Sequence, residues 1–148
     1  QSGSSIILSM IDQVQVLVDH FDVFIPDSRG TGDSTFLDCP GVKTSNFSGC
    51  AAVLANQWGH GLHNFSTSSA AMDLAYAMSD VGKETVVYAL SYGTYLANTL
   101  LLVADAGSVS YPKAIVLDGV CPPNICRFGN YDTNTNRVGL EVLARCGQ

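Results

Sequence analysis

The chain has 148 residues, 47% of them hydrophobic and 14% charged, and a formal net charge of −6. That composition suits a folded domain with a real core and excludes an intrinsically disordered chain. The negative charge argues against binding a phosphate backbone, so no nucleic acid is expected as a partner, and apolar runs broken by polar residues leave no membrane span to expect.

In chain order, the small, turn-prone Gln1-Ser2-Gly3-Ser4-Ser5 comes first. Ile7, Met10, Ile11, Val14, Leu17 and Val18 then recur at helical spacing and predict an amphipathic helix. Phe21-Asp22-Val23-Phe24-Ile25 reads as a short strand, ended by Pro26, which cannot donate to a sheet ladder. The loop Asp27-Ser28-Arg29-Gly30-Thr31-Gly32-Asp33-Ser34 follows. Gly30 and Gly32 permit tight backbone there, and Asp27 and Arg29 are able to pair and hold it, which makes its first reading structural. From Phe36 to Phe65 no strong period survives the cysteines and glycines, and the stretch reads as a loop-rich excursion around one short helix near Ala51–Trp58. Ser66-Thr67-Ser68 offers helix N-caps, Ala71, Leu74, Ala75 and Met78 share an apolar face, and Gly82 is a stop, which predicts a helix near Ser68–Val81.

The next stretch organises the chain. In Thr85-Val86-Val87-Tyr88-Ala89-Leu90-Ser91-Tyr92-Gly93-Thr94-Tyr95-Leu96-Ala97 a run of β-formers reaches a serine, and an Ala/Leu-rich helical pattern begins at once. A serine lifted on a sharp strand-to-helix turn has strained backbone and leaves no room for large side chains two positions to either side; here those positions hold Ala89 and Gly93. The pattern is that of a nucleophile elbow, with Ser91 as candidate nucleophile. A helix N-terminus just behind it favours an oxyanion, and Tyr92 is the candidate donor of an oxyanion-hole backbone N–H.

Tyr95 to Ala104 reads as a largely apolar helix closed by Ala106-Gly107-Ser108, and Ala114-Ile115-Val116-Leu117 as a buried strand ending in Asp118-Gly119. Residues 121–136 have loop composition, with a short helical pattern in Val138, Leu140, Val142 and Leu143. No internal repeat is visible. Strand and helix in alternation imply an α/β fold: a parallel sheet with helices on its faces and active residues at the carboxyl ends of its strands. Ser91, the glycine loop and Asp118 each follow such an end.

Five cysteines, Cys39, Cys50, Cys121, Cys126 and Cys146, cannot all pair within the chain. Cys121 and Cys126 lack the neighbours of a zinc site, so disulfides are expected rather than metal, and no cofactor is expected. Cys39 and Cys50 bracket a loop and suggest a staple worth about 2–4 kcal/mol, as in a secreted protein, with a cytoplasmic protein carrying free thiols as the alternative. Asn46-Phe47-Ser48 and Asn64-Phe65-Ser66 fit the glycosylation acceptor pattern, but a chain with this much Asn, Ser and Thr carries about one such match by chance, so they add little. Gln1 is not an initiator methionine, and the expectation is an internal piece of a longer protein.

Three stretches resemble the α/β-hydrolase fold, and more narrowly its branch of prolyl iminopeptidases and tripeptidyl aminopeptidases. Val23 to Ser34 is similar to that branch's strand followed by D-x-R-G-x-G-x-S. Ser66 to Leu74 is similar to its helix start with Asp-Leu, and Val87 to Ala97 to its elbow, in which Ala89 stands where glycine is usual. Ile115 to Val120 adds the strand after it. The resemblance implies a serine hydrolase with an acyl-enzyme on Ser91, acting on peptide amino termini or on small esters, and using Ser, Asp and His in that chain order. His20, His60 and His63 all precede Ser91, so the triad Asp and His are expected outside this chain. Residues 1–148 would then be the N-terminal and central part of one hydrolase domain, without its early strands, cap and C-terminal half. In the family an H-G-G-P-G loop completes the oxyanion hole, and Gln1 to Ser5 would be only its tail. Asp118 is expected to be structural. The alternatives are a carboxylesterase or lipase-like hydrolase, and a non-catalytic hydrolase-like binding protein, against which the intact Ser91-Tyr92-Gly93 argues.

Overall fold

The computed structural model describes residues 2–7, 10–43, 45–106, 111–126 and 128–146. Its elements are α1 (Gly3–Ile7), α2 (Ile11–Val18), α3 (Phe47–Trp58), α4 (Thr67–Val81), β1 (Val86–Leu90), α5 (Tyr92–Ala106), β2 (Ala114–Asp118) and α6 (Tyr131–Cys146), with 3-10 segments at Gly59–Asn64 and Phe128–Asn130. Two compact units make up the chain, Gln1–Leu74 and Ala75–Gln148, and α4 runs through the boundary.

The second unit carries the α/β architecture. Val86-Val87-Tyr88 is β-branched and aromatic, which suits a pleated surface, and β1 pairs in parallel with β2 from Val86↔Ala114 to Leu90↔Asp118. Parallel neighbours need a crossover, and α5 supplies it, packing against both strands. Its contact face is built mostly from small residues around Leu100. Thr94, Ala97, Leu100 and Ala104 recur at helical spacing and are buried, as is Ala89 of β1, so helix and sheet approach closely. Ala71, Ala75 and Met78 of α4 are buried at the same kind of spacing. The opposite face of the strand pair is bare: Val86, Tyr88, Leu90 and Val116, all on one side by the alternation of the register, are exposed.

The first unit departs from the sequence expectations. Part of the stretch read as turn-prone is the short helix α1, and the expected amphipathic helix is confined to α2, which follows Met10, whose φ of −118° and ψ of 15° are not helical; Ile11, Leu17 and Val18 of its apolar face are exposed. The predicted strand Phe21–Ile25 is not a strand. A strand exists through its ladder, and among the described residues none pairs with 21–25; the unit's isolated bridge is Gly30↔Phe36. Instead, the chain at Ile25-Pro26 lies against α1, close enough that a Cβ on Gly3 would come within 2.6 Å of the Pro26 carbonyl oxygen. Consequently the glycine loop does not follow a strand end.

Helix α3 starts earlier than expected because Asn46 caps it, its side chain accepting from the Gly49 N–H at 2.9 Å. Ser66 caps α4 in the same manner, accepting from Ser69 N–H at 3.2 Å. Helix α5 begins at Tyr92, directly after Ser91, and the expected closure at Gly107-Ser108 lies outside the described residues. The C-terminal helical pattern is longer than its apolar residues indicate. α6 begins at Tyr131, since Asp-Thr-Asn-Thr-Asn contains no Gly or Pro to stop it and Asp132 complements the helix dipole in its first turn.

Cys39 is linked to Cys50 and Cys121 to Cys126, with Cα–Cα distances of 5.2 Å and 5.3 Å, while Cys146 is free and exposed. Mass spectrometry of a non-reduced tryptic digest is expected to yield a peptide pair linked through Cys39 and Cys50, one internally bridged peptide with Cys121 and Cys126 unalkylated, and an alkylated Cys146. Free thiols at Cys39 and Cys50 would contradict the first staple.

Candidate active site

Ser91 sits in the turn between β1 and α5 with φ of 52°. Only glycine adopts the left-handed region without cost, and a non-glycine residue persists there when its surroundings over-determine it. They do so here from both sides. The Ser91 N–H donates to the Asp118 carbonyl at 2.8 Å, and the Ser91 carbonyl accepts from the Thr94 N–H at 2.9 Å and from Thr94 Oγ1 at 2.7 Å. Beyond Asp118 the chain bends away at Gly119, φ 65°, where a Cβ would lie 3.8 Å from the Ser91 nitrogen. The carboxyl end of β2 thus fixes the turn at the carboxyl end of β1.

The flanking small residues meet as their positions require. Ala89 is buried, and a Cβ on Gly93 would lie 3.8 Å from the Ala89 Cβ, so the pair has room for one methyl on each side and not for branched side chains. This is why alanine serves at residue 89. Ser91 itself is exposed, and Tyr92 opens α5 with its ring stacked on Tyr95 at 6.2 Å. The fifteen-residue helix directs the positive end of its dipole toward the serine turn, which favours negative charge there.

Asp118 is held structurally on two counts. Its carbonyl takes the serine N–H, and its carboxylate accepts from the Tyr88 hydroxyl at 2.8 Å on the bare face of the sheet. That hydrogen bond, with smaller contributions from desolvation and from the carboxylate's charge, raises the Tyr88 pKa above its ordinary value of 10.0. After Asp118 the chain enters the cross-linked turn Cys121–Cys126. Asn124 at φ 75° behind Pro123, with the Ile125 N–H donating to the Pro122 carbonyl at 3.3 Å, gives a turn of the kind that needs a left-handed third residue.

The glycine-loop residues lie in the first unit and make a different structure from the expected one. Arg29 does not pair with Asp27. Its guanidinium is bidentate on Asp73, Nε to Oδ2 at 2.7 Å and Nη2 to Oδ1 at 2.5 Å, and Nη1 donates to the Asn64 carbonyl at 2.7 Å. The planar fork matches a carboxylate two donors at a time, and Asp73, in the first turns of α4, offers that geometry where Asp27 does not. The hydrogen bonds to Asp73 raise the Arg29 pKa further, against a smaller opposing effect of desolvation. Asp27 instead accepts from the Asp33 N–H at 2.8 Å and closes the loop on itself. Gly30 and Gly32 have φ of 87° and 56°, and a side chain at Gly32 would collide with the Asp27 carboxylate.

The first unit also has an open cleft of about 640 Å³, lined by Asp27, Arg29, Trp58, Phe65 and Asp73 among others. None of its lining residues belongs to the unit that carries Ser91, and cleft size does not make it the site of chemistry. Residues 75–148 contain no histidine, and His20, His60 and His63 are all exposed in the first unit. Among the described residues no cluster of His, Cys, Asp or Glu is suited to a metal ion, and no helix is long and apolar enough to cross a membrane. Sequence reasoning missed Tyr88, the bridging hydroxyl of Thr94 and Asp73 as the partner of Arg29, while the structural reading of Asp118-Gly119 agrees with their place in the frame. Asp73 stood in one recognisable stretch and Arg29 in another, which was the available signal for joining them.

Residues 6–126, more than half of the chain, match the family model described as alpha/beta hydrolase fold. No curated protein and no solved structure matches the chain.

Two outcomes are expected at the turn. Ser91→Gly should be more stable than Ser91→Ala by about 1 kcal/mol in thermal unfolding, since both lack the hydroxyl and only glycine relieves the left-handed backbone. Equal stabilities would mean that φ 52° carries no strain. Tyr88 should ionise later than an ordinary tyrosine in a phenolate absorbance titration. Because its folded pKa is the raised one, the bond to Asp118 contributes fully below pH 10.0 and is lost as pH rises through the folded value. The stability difference between wild type and Tyr88→Phe should vanish over that range and remain flat below it.

Proposed function

The chain belongs to the alpha/beta hydrolase fold family, and from that premise we propose that it acts as a serine hydrolase through an acyl-enzyme on Ser91. One observation carries the reading: an exposed serine at φ 52° in the turn between a parallel strand and the helix that follows it. Backbone strain of this kind costs of order 1–3 kcal/mol and collects at functional sites, and nothing in the packing calls for a serine at that point. The hydroxyl oxygen attacks the substrate carbonyl and gives up its proton to a general base. The carbonyl oxygen becomes an oxyanion, for which the Tyr92 N–H at the head of α5 is the proposed donor. Collapse expels the protonated amine or alcohol, and water then cleaves the acyl-serine ester to release the acid.

The substrate we propose is the amino terminus of a peptide, after the resemblance of the glycine loop and elbow to aminopeptidases of this fold, with small esters as the other acyl class. The base is a requirement that residues 75–148 do not meet, having no histidine, and Asp118 is committed to Tyr88 and to the turn. Asp27, Arg29, Gly30 and Gly32 are read as structural, holding the loop to α4 rather than touching substrate. The two disulfides support an extracellular location, and thiols found free in the native protein would remove that support.

The test is hydrolysis of aminoacyl and tripeptidyl amides, and of a short-chain ester, by the protein expressed from its full transcript. Ser91→Ala is expected to lower kcat by about a thousandfold or more. Residues 1–148 alone should turn over no faster than their own Ser91→Ala form. Wild-type turnover by Ser91→Ala in the first experiment would overturn the nucleophile. Turnover of the ester with none of the amides would replace the peptidase by an esterase.

A further inference from the structure

We propose that Thr94 is a positioning residue that holds Ser91 in its left-handed turn by bridging it to the cross-linked turn Cys121–Cys126, a role that rests on Ser91 being the nucleophile. A threonine hydroxyl has one hydrogen to donate and lone pairs to accept with. The hydrogen of Thr94 goes to the Ser91 carbonyl at 2.7 Å, and its oxygen accepts from the Cys121 N–H at 2.8 Å. Thr94 is 2% exposed, so its hydroxyl is closed off from solvent and directed to these two partners. One side chain therefore joins the residue that must be placed to a segment 27 positions further on.

That segment is a rigid anchor. Pro122 and Pro123 restrict the backbone, Asn124 occupies φ 75°, and the Cys121–Cys126 disulfide closes the turn across a separation of five residues. Its first N–H points at Thr94. The other backbone group of Ser91, its N–H, is taken by the Asp118 carbonyl three residues before Cys121. Both polar ends of the serine peptide are thus referred to residues 118–121, one directly and one through the Thr94 hydroxyl. Valine has the shape of threonine without the hydroxyl. Thr94→Val would take from the half-buried Cys121 N–H its Thr94 acceptor and would remove one of the bonds that hold φ 52°, whereas Thr94→Ser keeps the bridge.

The test uses the protein expressed from its full transcript, with Thr94→Val, Thr94→Ser and Ser91→Ala. It measures the rate of Ser91 phosphonylation by a fluorophosphonate and, separately, amide hydrogen exchange at Ser91 and Cys121. Thr94→Val is expected to slow phosphonylation by about tenfold to a hundredfold, the cost of a reacting group displaced by roughly an ångström. It should also speed exchange at Cys121, while Thr94→Ser returns both to within about threefold of wild type because the hydroxyl is restored. The pair Cys121→Ser and Cys126→Ser leaves Thr94 intact and loosens its anchor; it should slow phosphonylation in the same direction and serves if Thr94→Val does not fold. Wild-type labelling by the folded valine variant, or a serine variant as slow as the valine one, would overturn the positioning role. If wild type and Ser91→Ala label alike, the nucleophile reading fails. The exchange data still decide the bridge, and unchanged protection of Cys121 in Thr94→Val would overturn it.

Discussion

The site depends on keeping one serine in a backbone conformation it does not prefer. Ser91 at φ 52° is supported by hydrogen bonds to both of its backbone polar groups: the bond from its N–H exists because β2 lies in register beside β1, and those to its carbonyl come from Thr94 on α5. The Leu90↔Asp118 pair is the last of the ladder, and the Ser91 N–H to Asp118 carbonyl bond continues it for one step into the turn. The parallel pairing is therefore both the architecture of the unit and the device that aims its most strained residue. The close approach of α5, permitted by Ala89, Gly93 and Ala97, brings Thr94 within reach of the same turn.

The first unit is held by a different kind of interaction. Arg29 gathers Asp73 and the Asn64 carbonyl, so three segments distant in sequence meet at one guanidinium. The Asp73 side chain is half exposed, and such a pair contributes modestly to stability after solvent screening, of the order of 1 kcal/mol or less. Its geometric role is larger than its energetic one. With Asp27 closing the glycine loop and Gly30 and Gly32 in left-handed backbone, Arg29 ties that loop to α4 through Asp73.

The two cross-links differ in what they restrain. Cys39–Cys50 joins an irregular segment to the first turn of α3, where few other contacts define the chain path. Cys121–Cys126 closes a turn already defined by Pro123 and Asn124, so its effect is to stiffen the start of the segment that donates to Thr94. Meanwhile the large apolar side chains Val86, Tyr88, Leu90 and Val116 remain exposed on one face of the strand pair, and the Tyr88–Asp118 bond lies among them. That face is apolar enough to be a burial surface and has a single polar pairing within it.

The sequence by itself determined the parts whose signals are local. β-branched residues ahead of Ser91, small residues at 89 and 93 and the helical spacing of Ala71, Ala75 and Met78 each report their own backbone, and β1, the serine turn, α4 and β2 stand where those patterns place them. Tertiary structure decided what depends on a partner. Phe21–Ile25 has the composition of a strand, but a strand needs a ladder and composition carries no record of its neighbour. Asp27 is nearer to Arg29 in sequence than Asp73 is, yet the fork goes to the carboxylate on α4 whose two oxygens take Nε and Nη2 separately. Thr94 reads locally as one more helix residue, and its hydroxyl acquires a second partner only because the parallel crossover returns the chain at Cys121 beside it.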